Sequence, residues 1–266
     1  MNVLYVVLAL HKCGSSYLSS LTHELRRPKC HCLSPPSGCE AACGSPGAIL
    51  FSRGVGTAVD PRLSRELVDN ALAAAAPSRG SGWLSLFGGR PGPRECRVMV
   101  QLRHPLDVLV SQFQSFTFTH SLPTDIDAAE RERIVADRAR QRAMGVDAYA
   151  AENLSGLLGR MSAAIAGLRS VSGACRVWFS RYEDMVEGPF WNDEFERFFD
   201  VARGKRRKGL RAQFRATEAV AVDNTTHVAY LHPGAYVAHL APATVVELTR
   251  RVAAEAPEVL RASGYF

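Results

Sequence analysis

Lys12 and Gly14, followed by the hydroxyls of Ser15 and Ser16, stand directly after the apolar run Val3–Leu10 and before a helix-patterned stretch opened by Tyr17 and Leu18. A strand–turn–helix corner of this kind aims backbone N–H groups and the positive end of a helix dipole at one point, which suits a phosphate. Gly14 lets the backbone approach an anion closely, the backbone around Cys13 supplies N–H donors, and Lys12 adds a point charge. A second corner follows Val98-Met99-Val100-Gln101-Leu102. There Arg103 leaves the end of a strand and Ser111 lies about two turns along the next helix. An arginine fork and a hydroxyl so placed can grip one dianionic phosphate. Read blandly, the two corners are a turn with an incidental lysine and a capped helix with a surface arginine.

The first corner is not a Walker A loop, because that pattern places its lysine after the glycines and here Lys12 precedes the single Gly14. The chain as a whole favours an anionic partner. Its 266 residues carry a formal net charge of +6 and a sequence pI of about 9.1. A polyanionic nucleotide, an acidic glycan and nucleic acid all satisfy that balance. Hydrophobic residues make up 47% and charged residues 22%, the composition of a globular enzyme rather than a disordered chain.

The elements that must hold these corners are legible in part. Val3–Leu10 and Arg97–Leu102 read as continuous apolar strands of the kind buried inside a parallel sheet, and Arg176–Ser180 reads as a third. A helix is expected from Pro105 to about Phe116, with proline in its first turn and Asp107 near its positive end. Residues 125–168 read as long, helical and charged, Trp191–Val201 as a helix, and the last helix as starting near Pro242 with Val245, Leu248 and Val252 on one stripe. Residues 27–95 hold most of the prolines and glycines, a short apolar run at Ala48–Phe51 and a helical pattern at Pro61–Ala75. Strands alternating with helices give the expected class: α/β, a three-layer sandwich with a central parallel sheet flanked by helices, like the P-loop NTPases, in one domain over 1–266. Residues 27–95 read as a variable insertion in that domain.

In order and position, His11-Lys12-Cys13-Gly14-Ser15-Ser16-Tyr17-Leu18 resembles the 5′-phosphosulfate loop of the sulfotransferases that use PAPS (3′-phosphoadenosine 5′-phosphosulfate), P-K-S-G-T-T-W-L. His11 for proline and Cys13 for serine depart from it. Arg103-His104-Pro105-Leu106-Asp107 through Ser111 resembles the family's 3′-phosphate motif, R-[DN]-P-x-D-x-x-V-S, with arginine and serine at the family's spacing. Phe179-Ser180-Arg181-Tyr182-Glu183-Asp184-Met185 is similar to the strand-terminal segment whose tyrosine lies near the adenine, and Pro233-Gly234-Ala235-Tyr236 through Gly264-Tyr265 to the C-terminal one. The family's basic R-K-G before that ending is replaced by Thr226-His227-Val228, and a basic cluster, Lys205-Arg206-Arg207-Lys208, lies earlier.

The resemblance implies transfer of the sulfuryl group from PAPS to a hydroxyl or amine by in-line displacement. Lys12 would be catalytic, and Lys12, Cys13, Gly14, Ser15, Ser16, Tyr17, Arg103, Ser111 and Tyr182 would bind the nucleotide. The chemistry implies no metal. A general base is needed, and His120, after the aromatic stretch Phe116-Thr117-Phe118-Thr119, is the candidate, with His104 and His11 as others.

Two further readings stand beside this one. An ATP-dependent phosphotransferase would need Mg²⁺ and would prefer ATP. A zinc-bearing nucleic-acid module would use Cys30, Cys32, Cys39 and Cys43 with the basic cluster, although C-x-C-x6-C-x3-C is not a usual finger spacing. The expected partners are the nucleotide donor and an acceptor the sequence does not name, without nucleic acid or membrane. Val3–Leu10 is far short of the roughly 20 apolar residues of a membrane span, so a soluble, cytoplasmic protein is the default expectation. Seven cysteines do not force a disulfide framework.

Overall fold

The structure, a computed structural model, describes residues 3–10, 12–14, 18, 29–31, 49–55, 95–119, 122, 126–170, 173, 175–187, 194–200 and 232–265. The chain divides into two compact units, each built from two stretches: Met1–Leu102 with Arg160–Leu210, and Arg103–Gly159 with Arg211–Phe266.

Among its described residues the first unit holds a five-stranded, all-parallel sheet in the order β2-β3-β1-β4-β5. Its strands are β1 (Val3–Leu10), β2 (Lys29–His31), β3 (Ile49–Val55), β4 (Glu95–Leu102) and β5 (Arg176–Arg181). The two longest apolar runs, β1 and β4, are neighbours inside the sheet, and Tyr5–Leu10 and Cys96–Leu102 are buried, as expected where both faces of a strand are covered. The sequence reading placed β1, β4 and β5 to within two residues. The run at Ala48–Phe51 becomes β3, extended through Ser52, Arg53 and Gly54 to Val55. The short edge strand β2 was not read at all.

Register sorts the side chains into rows on one face of the sheet: Tyr5, Arg97 and Arg176; Val7, Met99 and Trp178; Ala9, Gln101 and Ser180. A short helix, Glu194–Phe199, covers the first two rows. Tyr5 packs on Phe198 and Phe199 with ring centroids 5.7 and 5.5 Å apart, and Trp178 meets Phe198 edge-on at 5.3 Å. Arg97 fixes that helix by its end, donating to the carbonyls of Arg197 and Phe198 at 2.7 and 2.9 Å and pairing with Glu95 at 2.7 Å and Asp200 at 2.9 Å. On the other face Cys96 and Cys175 form a disulfide joining the starts of β4 and β5.

The described residues of the second unit are mostly helical. It contains α1 (Pro105–Gln114), a π-helical turn (Ser115–Thr119), most of α2 (Ala128–Ser170), then α5 (Tyr236–His239), α6 (Pro242–Glu255) and α7 (Pro257–Ser263); the helices α3 (Tyr182–Glu187) and α4 (Glu194–Phe199) belong to the first unit. Helix α2 is broken at Gly145, whose φ of 78° and ψ of 168° only glycine adopts cheaply. Arg251 of α6 ties to α2, donating to Ser155 Oγ at 2.7 Å and to the Ala151 carbonyl at 3.1 Å. On α6 the expected stripe is present, with Leu248 and Val252 buried and Val245 half-buried.

Candidate functional site

In the first unit the lysine-bearing corner is a tight turn. The N–H of Cys13 donates to the Leu10 carbonyl at 3.1 Å, and the N–H of Leu18 donates to the Gly14 carbonyl at 3.0 Å, the spacing of a helical turn. Both Lys12 and Gly14 sit in the left-handed region, with φ of 64° and 79°. For a lysine that conformation costs about 1–2 kcal/mol. Gly14 is fixed a second way: a Cβ there would stand 2.7 and 2.8 Å from the Tyr182 ring and 3.2 Å from Met185. The turn after β1 and the Tyr182-Glu183-Asp184-Met185 segment after β5 therefore touch. Tyr182 is buried, and Arg181 holds Asp184 at 2.9 Å, closing the first turn of α3. Ser15, Ser16 and Tyr17 lie outside the described residues.

In the second unit the arginine-bearing corner is built on the start of α1. His104 is the N-cap, its Nδ1 accepting from the Leu106 N–H at 3.3 Å, with Pro105 in the first turn as expected. Arg103, Asp107 and Ser111 follow at four-residue intervals. Arg103 is 3% exposed, and its Nε lies 3.9 Å from Asp107 Oδ2. Ser111 is half-buried in a helix otherwise almost wholly buried.

The sequence reading gave Asp107 to the helix dipole alone. In the fold its two carboxylate oxygens accept from the backbone N–H of Gly234 at 2.8 Å and of Tyr236 at 3.0 Å. The Pro233-Gly234-Ala235-Tyr236 segment is thereby fastened to the arginine motif. His104 completes the join, stacking on Tyr236 with centroids 4.6 Å apart and planes 8° apart, and meeting Tyr265 edge-on at 5.1 Å. Burial pushes the His104 imidazole down to about 4, Arg103 pushing the same way and Asp107 opposing. Burial raises the Tyr236 phenol, with Asp107 adding to it. His104 thus serves this join as a cap and a stacking partner. His120 and His11 lie outside the described residues, as do Cys32, Cys39, Cys43 and the basic cluster. Phe118, just before His120, is 56% exposed, with Arg142 over its ring at 5.5 Å.

Against known proteins, no family model matches the chain and no curated protein does. Among solved structures it is similar to mouse sulfotransferase SULT7A1 complexed with PAP, at 12% identity and a TM-score of 0.57, over 100% of this chain and 89% of that one. The likeness establishes the fold: an α/β fold with a parallel sheet, like that of this sulfotransferase. Among the described residues no group of three or more His, Cys, Asp or Glu side chains is placed to hold a metal, and no helix is long and apolar enough to cross a membrane.

Proposed function

We propose that the chain is a PAPS-dependent sulfotransferase. The observation that carries this reading is the pairing of four motifs far apart in sequence. The Lys12–Gly14 turn meets Tyr182 and Met185 in one unit. Arg103, His104 and Asp107 meet Gly234, Tyr236 and Tyr265 in the other. The sulfotransferase-like fold supports the same reading.

In this proposal Lys12 and the turn around Cys13, Gly14, Ser15, Ser16 and Tyr17 take the 5′-phosphosulfate end of the donor. Arg103 and Ser111 take its 3′-phosphate, and Tyr182 borders the adenine. The acceptor oxygen or nitrogen attacks sulfur, the bond from sulfur to the 5′-phosphate oxygen breaks, and adenosine 3′,5′-bisphosphate leaves. Lys12 neutralises the charge gathering on that leaving oxygen, and a base, for which His120 is the candidate, takes the acceptor's proton. The strained backbone of Lys12 fits this role, because strain tends to persist where a side chain is needed in one place.

The test is transfer of labelled sulfate from PAPS across a panel of sugar, phenol, alcohol and amine acceptors. A wild-type protein that transfers label to at least one acceptor, with Lys12→Ala slower by ~10²–10³, is the expected outcome. Arg103→Ala should chiefly weaken donor binding. Transfer undiminished in Lys12→Ala would remove the lysine from the chemistry.

A further inference from the structure

Gln101 and Ser180 are polar residues in the sheet's apolar interior. They face each other across β4 and β5, with Ala9 of β1 completing the row. They are 0% and 1% exposed, yet both amide atoms of Gln101 and the hydroxyl of Ser180 have no hydrogen-bond partner among the described residues. Buried polar groups are nearly always paired, and an amide that leaves all four of its hydrogen-bonding sites unused invites a reason. Nothing about strand formation supplies one: the neighbours of Gln101 in β4 are Val98, Met99, Val100 and Leu102, and an apolar residue would suit the position.

The location supplies a reason. Gln101 is the next-to-last residue of β4, and the row it belongs to is the one closest to the C-terminal edge of the sheet on its face. In a parallel α/β sheet ligands gather outside that edge. The turn that leaves β1 carries Lys12 and brings Gly14 against Tyr182, two residues beyond Ser180. Since β4 lies between β1 and β5, a turn reaching from the end of β1 to the segment after β5 passes over the end of β4.

The geometry points to Gln101 and Ser180 as a polar floor of the donor site, whose amide and hydroxyl hydrogen-bond the 5′-phosphate end of the bound nucleotide. This inference rests on the nucleotide-binding reading above and adds two contacts, from residues to which the sequence reading gave no role. The amide would donate to a phosphate oxygen, and the hydroxyl would donate to another or bridge the amide. Left unpaired, the buried amide and hydroxyl cost stability.

That cost makes the inference testable. Gln101→Leu keeps the volume and removes the unpaired amide, so the variant without ligand should melt at or above the wild-type temperature. Its affinity for adenosine 3′,5′-bisphosphate, measured by calorimetry, should fall about tenfold. Its affinity for adenosine 3′-monophosphate, which lacks the 5′-phosphate, should stay within about twofold of wild type. Unchanged affinity for both nucleotides would make the amide a packing defect and overturn the inference. Equal losses for both would also overturn it, since the effect would then fall on the site as a whole. Should Gln101→Leu fail to fold, Ser180→Ala is read by the same two nucleotides. A wild-type protein that binds neither nucleotide overturns the inference together with the functional reading. A wild type that binds both while the variants bind as well as it does defeats the inference alone.

Discussion

Lys12 adopts a backbone conformation that glycine would hold without cost, and this sets stability against function at a single position. Replacing it with glycine should raise unfolding free energy by about 1 kcal/mol, from relief of the left-handed strain, while lowering sulfuryl transfer as steeply as Lys12→Ala does. Denaturant unfolding read beside turnover checks both, and a destabilised Lys12→Gly protein would contradict the strain. His104 gives a pH dependence whose sign follows from its burial. Its folded pKa of about 4 lies below the ordinary 6.5, so the unfolded chain binds the extra proton first as pH falls. The contribution is complete above pH 6.5 and is lost as pH drops toward 4, by about 3 kcal/mol at most. Unfolding measured across that window should show the slope in the wild type. His104→Asn keeps a capping side chain and removes the titration, so it should flatten the slope; an unchanged slope would assign the effect elsewhere.

At the scale of elements, what joins α1 to the C-terminal segment is Asp107. Its carboxylate accepts two backbone N–H groups and lies beside a buried arginine. Asp107→Ala should therefore cost about 2–3 kcal/mol in urea unfolding, because it removes the charged acceptor of the Gly234 and Tyr236 N–H groups. A loss under about 1 kcal/mol would mean that the segment is held by the His104 stack alone. Such joins are what the sequence could not disclose. The strands β1 and β4 were legible because a buried parallel strand is a continuous apolar run, and α1 because Pro105 and Asp107 mark its start. Strand β2 was illegible because Lys29-Cys30-His31 has no apolar pattern. The Gly145 break was hidden inside a charged helical pattern, where a single glycine is commonly tolerated. The lysine and arginine corners could be found from local spacing. Their partners Tyr182, Gly234 and Tyr236 were visible as motifs, but their meeting depends on long-range packing that no local pattern encodes.

For the whole molecule, the Cys96–Cys175 disulfide bears on where the protein works. It ties two neighbouring strands across a sequence separation of 79 residues. Closing a loop of that length stabilises by about 4–5 kcal/mol in the chain-entropy account. The Cys96→Ser/Cys175→Ser protein should melt well below the wild type under oxidising conditions and alongside it after full reduction. Equal melting in both conditions would show that the bond contributes nothing. Disulfides persist in oxidising compartments and are rare in the cytosol, so the bond pulls against the cytoplasmic setting expected from the sequence. The net charge of +6 is the molecule's other global feature, and it favours an anionic ligand without choosing one. Choosing falls to the 3′-phosphate, the group that separates the proposed donor from ATP and ADP. Calorimetric titration with adenosine 3′,5′-bisphosphate and with ADP, each with and without Mg²⁺, therefore tests the central claim most directly. Binding of the bisphosphate at least about tenfold tighter than ADP, and indifferent to Mg²⁺, is the predicted result. ADP bound as tightly or more tightly, and only with Mg²⁺, would contradict it and favour an ATP-dependent phosphotransferase.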